Sequence, residues 1–133
     1  MNITRISIYV HDVERMKDFY MKYFDAELDD TYENFQKGTK YTFLKFDEGS
    51  RIALVTAPDV QERTQGGRVR GISHFAISLP NALMVRMVTS RLMDDGYQVV
   101  NGVRYTGYGK YESRVLDPEG NEIELTTEGF DEE

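Results

Sequence analysis

The chain repeats itself. Ile6, Ile8 and Val10 alternate with polar residues, describing a strand with one buried face, and Phe75, Ile77 and Leu79 renew the pattern 69 positions later. Each strand runs into a capping side chain, Asp12 and then Asn81, able to accept a free N–H of a first helical turn. Helical stripes follow both caps: Val13, Met16, Phe19, Tyr20 and Tyr23 in the first, then Ala82, Val85, Val88 and Leu92 ahead of a stop at Gly96. After each helix come strand-like segments ending in related hairpins, Phe46 to Leu54 and Leu116 to Leu125. In this comparison Tyr41 matches Tyr111, Asp47 matches Asp117, and Gly49 matches Gly120 with Pro118 as a one-residue insertion.

A strand, a helix and three strands, twice over, predict an α+β chain of two tandem βαβββ modules, residues 3–57 and 72–127. A connector over 58–71 carries Gly66 and Gly67 without either periodicity, and an acidic tail over 128–133 closes the chain, with only Phe130 to anchor it. Sheets this small bury an apolar face only against a partner, so the modules are expected to pair within a single domain of 133 residues. Alternation then sets a second group of side chains on the opposite faces: Arg5, Ser7 and Tyr9; Ala53 and Val55; His74, Ala76 and Ser78; Glu122, Glu124 and Thr126. That shared face is the candidate cleft.

Charge and composition exclude several classes of partner. A net charge of -7 opposes binding to phosphate backbones, so nucleic acid is not an expected partner. The absence of cysteine removes disulfides, thiolate metal sites and cysteine nucleophiles. No apolar run approaches the roughly 18 residues of a membrane span, and Met1 to Val10 lack the layout of a signal peptide, so no membrane partner and a cytoplasmic location are expected.

Three segments carry a family resemblance: the opening strand running into Asp12 and Phe19-Tyr20, the second start Gly71-Ile72-Ser73-His74-Phe75-Ala76, and the closing run from Leu116-Asp117-Pro118-Glu119-Gly120 to Leu125. In order and spacing they resemble the vicinal oxygen chelate superfamily of glyoxalases, bleomycin-resistance proteins and extradiol dioxygenases, especially its short glyoxalase-like members. The resemblance covers nearly the whole chain. It implies modules paired in a curved, partly open barrel around a cleft, commonly within a homodimer, and a cleft that serves many reactions. It also implies a divalent ion, Zn, Ni, Fe or Mn, held by His and Glu side chains from the first and last strands of each module. His74 and Glu124 match that set in the second module, whereas the first has Arg5 and Ala53 at the corresponding positions. Half the donor set is missing, and a permanent guanidinium nearby repels a cation.

Within that frame Arg5 reads either as a salt-bridge partner for Glu124 across the vacated site or as a clamp for an anionic substrate oxygen. Glu124 is a candidate general base, and His74 a metal ligand, an acid–base group or a hydrogen-bonded core histidine. Arg104 to Tyr111 interleaves cations, aromatics and glycines; it reads as a loop over the cleft, or as a solvent-facing hairpin. On the loop reading Arg104, Tyr108 and Tyr111 join Arg5 and Tyr9 as substrate contacts. His11 reads as a surface polar residue. Three functions compete: a metal-dependent lyase or isomerase resembling lactoylglutathione lyase and using His74 and Glu124, a binding module resembling bleomycin-resistance proteins, and a metal-free enzyme with Arg5 as electrophile. The missing first-module donors favour binding or divergent chemistry over the lyase.

Overall fold

Asp12 accepts the N–H of Arg15 at 3.1 Å and Asn81 that of Met84 at 2.9 Å, so both capping residues start helices where alternation ends. The computed structural model describes residues 1–63 and 67–128, apart from the side chains of Glu48 and Glu128. Gly66 of the expected connector and Phe130, Asp131, Glu132 and Glu133 of the expected tail lie outside the described residues. The chain divides into two units, Met1–Gln65 and Gly66–Glu133, and the division falls within the stretch read as the connector.

The first unit runs β1 (Arg5–Tyr9), α1 (Val13–Phe24), β2 (Glu27–Asn34), β3 (Thr39–Lys45) and β4 (Arg51–Thr56). The second runs β5 (Phe75–Ser78), α2 (Ala82–Asp94), β6 (Val99–Tyr105), β7 (Lys110–Leu116) and β8 (Glu122–Glu128). Their four-stranded sheets have the same order, β1-β4-β3-β2 and β5-β8-β7-β6, with the first and last strands of each unit parallel. A parallel pair needs a long crossover, and in each unit the helix and the two intervening strands supply it. Both halves are therefore βαβββ units, as the repeat predicts.

One face of each sheet lies under its helix. Met16, Phe19, Tyr20 and Tyr23 of α1 are buried, as are Leu44, Ile52 and Leu54 of its sheet. Val85, Val88 and Leu92 of α2 are buried with Val115, Ile123 and Leu125. At about 25 cal/mol per Å² these apolar faces are the main term holding each unit together. A polar stitch joins α2 to β7: Thr89 donates to the Val85 carbonyl at 2.6 Å, so the hydroxyl of Ser113, 2.8 Å away, donates to Thr89. Among the described residues no helix is long and apolar enough to cross a membrane.

The hairpins correct the alignment of the two halves. Phe46 N–H donates to the Ser50 carbonyl and Asp117 N–H to the Asn121 carbonyl, while Lys45 pairs with Arg51 and Leu116 with Glu122. Both turns therefore have the same length, and Phe46, not Asp47, is the counterpart of Asp117; Pro118 replaces Asp47 without an insertion. Tyr41 opposes Val55 as Glu112 opposes Thr126, so the counterpart of Tyr41 is Glu112 and not Tyr111. Matching identical side chains misled here because register is fixed by backbone pairing. Gly49 and Gly120 do correspond, both at positive φ (91° and 86°) that a side chain would strain. The last strand also runs through Glu128, which pairs with Lys110, so the second module extends one residue past the expected boundary at 127.

This correspondence makes a testable distinction between two aspartates. Buried Asp117 accepts from the N–H groups of Glu119 (2.9 Å) and Asn121 (3.0 Å) and from the Asn121 amide (2.9 Å), whereas Asp47 is exposed. Asp117→Ala is expected to destabilise the protein by about 1–3 kcal/mol, and Asp47→Ala by less than about 0.5 kcal/mol, as measured by urea unfolding. Equal losses would restore the equivalence of the two.

Candidate functional site

The turn closed by Asp117 and Asn121 sets the register that builds the site. With Leu116 opposite Glu122, Arg114 falls opposite Glu124 and Glu112 opposite Thr126. Ser113 points at α2, so by alternation Arg114 and Glu112 point away from it, together with Glu122 and Glu124. On the other side of β8, Ala76 pairs with Glu124, and His74, just before β5, continues that face.

Arg114 ties these residues together. Its Nη2 donates to Glu124 Oε2 at 2.8 Å and lies 3.2 Å from His74 Nε2, while Nη1 donates to Glu122 Oε1 at 3.3 Å. A guanidinium has no acceptor, so His74 Nε2 must accept from Arg114. The imidazole proton is thereby assigned to Nδ1, which donates to Ser73 Oγ at 2.8 Å. Glu124 is only 8% exposed, and Arg114 compensates its buried charge. The hydrogen bond to Glu124 holds the guanidinium above its ordinary pKa against the opposing pull of burial, with the charges of Glu124 and Glu122 adding to it. Arg114 is therefore a fixed cation. Its buried Nε has no hydrogen-bond partner among the described residues.

Beside this cluster lies a second buried carboxylate. Glu112, 3% exposed, accepts from the Tyr108 hydroxyl at 2.8 Å and from Thr126 Oγ1 at 2.9 Å. Tyr108 sits in the β6–β7 turn with its residue 66% exposed, so the contact fastens the turn to the sheet face. Arg104 opposes Glu112 in register and donates to the Gly102 carbonyl at 3.4 Å.

The equivalent face of the first unit has another character. Ala53, fully buried, opposes Ser7 and Phe43, so Phe43 holds the place that Arg114 holds in the second unit. The guanidinium of Arg51 lies 4.7 Å from the Phe43 ring centre and that of Arg5 lies 5.9 Å from it. Arg51 is also paired with Asp29 at 3.1 Å. Tyr9, 67% exposed, shares the Arg5 face of β1.

Of the residues singled out from the sequence, His74, Glu124, Arg104 and Tyr108 come together on one face of the second unit. Tyr111 does not join them. It alternates with Glu112, is 6% exposed, and packs 4.7 Å from Tyr105 with the Arg86 guanidinium 5.9 Å from its ring. Arg5 and Tyr9 occupy the corresponding face of the first unit. His11, exposed, pairs with Glu62 at 3.0 Å. Within the second unit the cation on Glu124 is Arg114, because the hairpin register delivers a guanidinium directly opposite that carboxylate. Sequence reasoning missed Arg114 and Glu112; counting back from the turn, 116 against 122 and 114 against 124, would have found Arg114.

The residues present do not fit a divalent ion. His74 Nε2 and Glu124 Oε1 approach to 3.7 Å, but Arg114 Nη2 contacts both side chains, placing a fixed cation at the junction where an ion would have to bind. Among the described residues no group of three or more His, Cys, Asp or Glu side chains gathers to complete a coordination shell.

Two βαβββ units, each presenting one sheet face away from its helix, define a glyoxalase-type fold. The chain belongs to the Glyoxalase/Bleomycin resistance protein/Dioxygenase superfamily, whose family model matches residues 2–125. A comparison with curated protein sequences finds no match. Among solved structures, a glyoxylase/bleomycin resistance protein/dioxygenase domain from Frankia sp. EAN1pec superposes with a TM-score of 0.83 at 14% identity, covering 100% of this chain and 95% of that one. The trypanothione-dependent glyoxalase I of Leishmania major gives 0.76 at 17% identity, over 96% and 86%. A fosfomycin resistance protein from Listeria monocytogenes gives 0.72 at 19%, over 97% and 94%. The chain spans 45% of glyoxalase I from Zea mays, with a TM-score of 0.77 at 19% identity and 96% of this chain covered. At these identities the likeness is one of fold.

The Tyr108 contact gives a pH test. The hydrogen bond to Glu112, with smaller contributions from burial and carboxylate charge, raises the phenol pKa above its ordinary 10.0. A raised pKa means that the contact's stabilisation is complete below pH 10.0 and is lost as pH rises through the higher folded value. NMR titration of labelled tyrosine rings should show Tyr108 ionising above free tyrosine, and Glu112→Gln should bring it back down. No change in the variant would deny the contact.

Proposed function

We propose that this chain binds a small organic molecule without a protein-held divalent ion, and that His74, Arg114, Glu122 and Glu124 form the polar part of its site. The observation that carries this reading is the Arg114 guanidinium joining the two side chains best suited to ligate a metal. A lyase or isomerase reaction through a metal, with Glu124 moving the proton, would need that donor set intact. Glu124 is instead committed to Arg114, and both ring nitrogens of His74 are engaged, Nε2 with Arg114 and Nδ1 with Ser73. With two carboxylates around one guanidinium, this face suits neutral groups that donate hydrogen bonds. Tyr108, in the β6–β7 turn, and Arg104, near the end of β6, are its flanking contacts. The proposal includes a homodimer, which sedimentation at micromolar concentrations would test.

Protein purified without added ions is expected to contain far less than one metal per chain by elemental analysis. Compounds found by thermal stabilisation should raise the melting temperature equally with and without a chelator. A stoichiometric ion whose removal abolishes ligand binding would refute the reading. Arg114→Ala is expected to destabilise the fold by about 2–3 kcal/mol, at the low end for a buried pair because Arg114 retains some solvent access. A neutral effect in urea unfolding would show that Glu124 does not depend on it.

A further inference from the structure

The first unit carries an excess of positive charge on one row of its sheet, which is unexpected in a chain of net charge -7. Arg5, Arg51 and Lys45 lie in register on β1, β4 and β3. Like charges directly opposite one another destabilise a sheet unless something compensates them. Arg51 has Asp29 at 3.1 Å, and Lys45 has Glu27 opposite it on β2. Arg5, at the edge strand, makes no ion pair among the described residues of its unit and instead stands 5.9 Å from the Phe43 ring. Phe43, which also has the Arg51 guanidinium 4.7 Å from its ring centre, is stacked on Tyr41 with ring centres 6.0 Å apart and an interplanar angle of 15°, so the wall behind Arg5 is aromatic.

We infer that Arg5, backed by Phe43, is an anion subsite that takes the oxyanion of a flat organic acid, a carboxylate or phosphonate carried on a ring. This deepens the function proposed above and rests on its premise that the chain binds a small organic molecule. A planar guanidinium presents paired N–H donors that match such an oxyanion, and a charge that no described carboxylate of its own unit offsets is what the ligand neutralises. Arg5, Ser7 and Tyr9 are all exposed on the same face of β1. A strand advances about 3.3 Å per residue, so Tyr9 lies roughly 13 Å along from Arg5. The small Ser7 between them leaves room for a flat body reaching towards the phenol ring of Tyr9. The subsite therefore selects an anion at one end and a ring at the other.

Calorimetric titration of the full chain with benzoate, phenylphosphonate, acetate and benzyl alcohol tests this. Benzoate, phenylphosphonate or both should bind in a salt-sensitive manner, the stronger of the two identifying the oxyanion, and benzyl alcohol should bind at least about tenfold more weakly. Arg5→Gln, its fold checked by circular dichroism, should lose about tenfold or more in affinity for the anionic probe, while Arg5→Lys keeps part of it. Tyr9→Ala should weaken benzoate without affecting acetate. Benzyl alcohol binding as tightly as benzoate, an Arg5→Gln protein with unchanged affinity, or no binding of any anionic probe would each overturn the subsite. Arg5-dependent binding in a protein found to hold a stoichiometric metal would uphold the subsite while refuting the metal-free reading, so the two fail separately.

Discussion

A buried carboxylate needs a partner, and in this protein Glu124 has Arg114. The 2.8 Å contact between them organises the polar face of the second unit. Once Arg114 is committed to Glu124, the same nitrogen reaches His74 Nε2, which fixes the imidazole tautomer through Ser73. The contact is a consequence of backbone geometry. The β7–β8 turn, held by the Asp117 carboxylate, sets which residue faces which, and the parallel pairing of β5 with β8 brings His74 alongside. A change in turn length would uncouple all three side chains at once.

The two halves share one backbone plan and differ in what they put on it. At the position of Glu124 the first half has Ala53, at that of Arg114 it has Phe43, and at that of His74 it has Arg5. One half buries ionised groups that satisfy one another; the other sets guanidinium groups against an aromatic ring. Each substitution preserves the fold, since these positions face away from the helix and do not enter the apolar layer beneath it. One backbone plan thus carries different chemistry on corresponding sheet faces.

The sequence was most legible where one signal had one cause. Asp12 and Asn81 start helices, Gly96 at φ 92° ends one, and the spaced apolar residues of both helices are buried. The succession of strand, helix and three strands in each unit followed from the repeat. His74 and Glu124 were placed by resemblance and by alternation, and they do lie side by side. Arg114 was missed because a charged residue in a hairpin strand looks like solvent-facing surface until the register across the turn is known. Tyr111 was set among the ligand contacts because it shares a loop with Tyr108, yet β7 alternates and turns its ring towards Arg86 and Tyr105. Asp47 and Asp117 are the same residue type in the same kind of turn, and only backbone hydrogen bonds reveal that one carries the turn while the other faces water.

Through Arg114 Nη2 a guanidinium joins His74 to Glu124. Nitrogen NMR of labelled histidine in protein purified without added ions reads this bond directly. That bond places the imidazole proton on Nδ1 and leaves Nε2 an unprotonated acceptor, and Arg114→Ala should lose the pattern. A protonated Nε2, or an Nε2 signal that responds to a chelator and ignores the loss of Arg114, would contradict it.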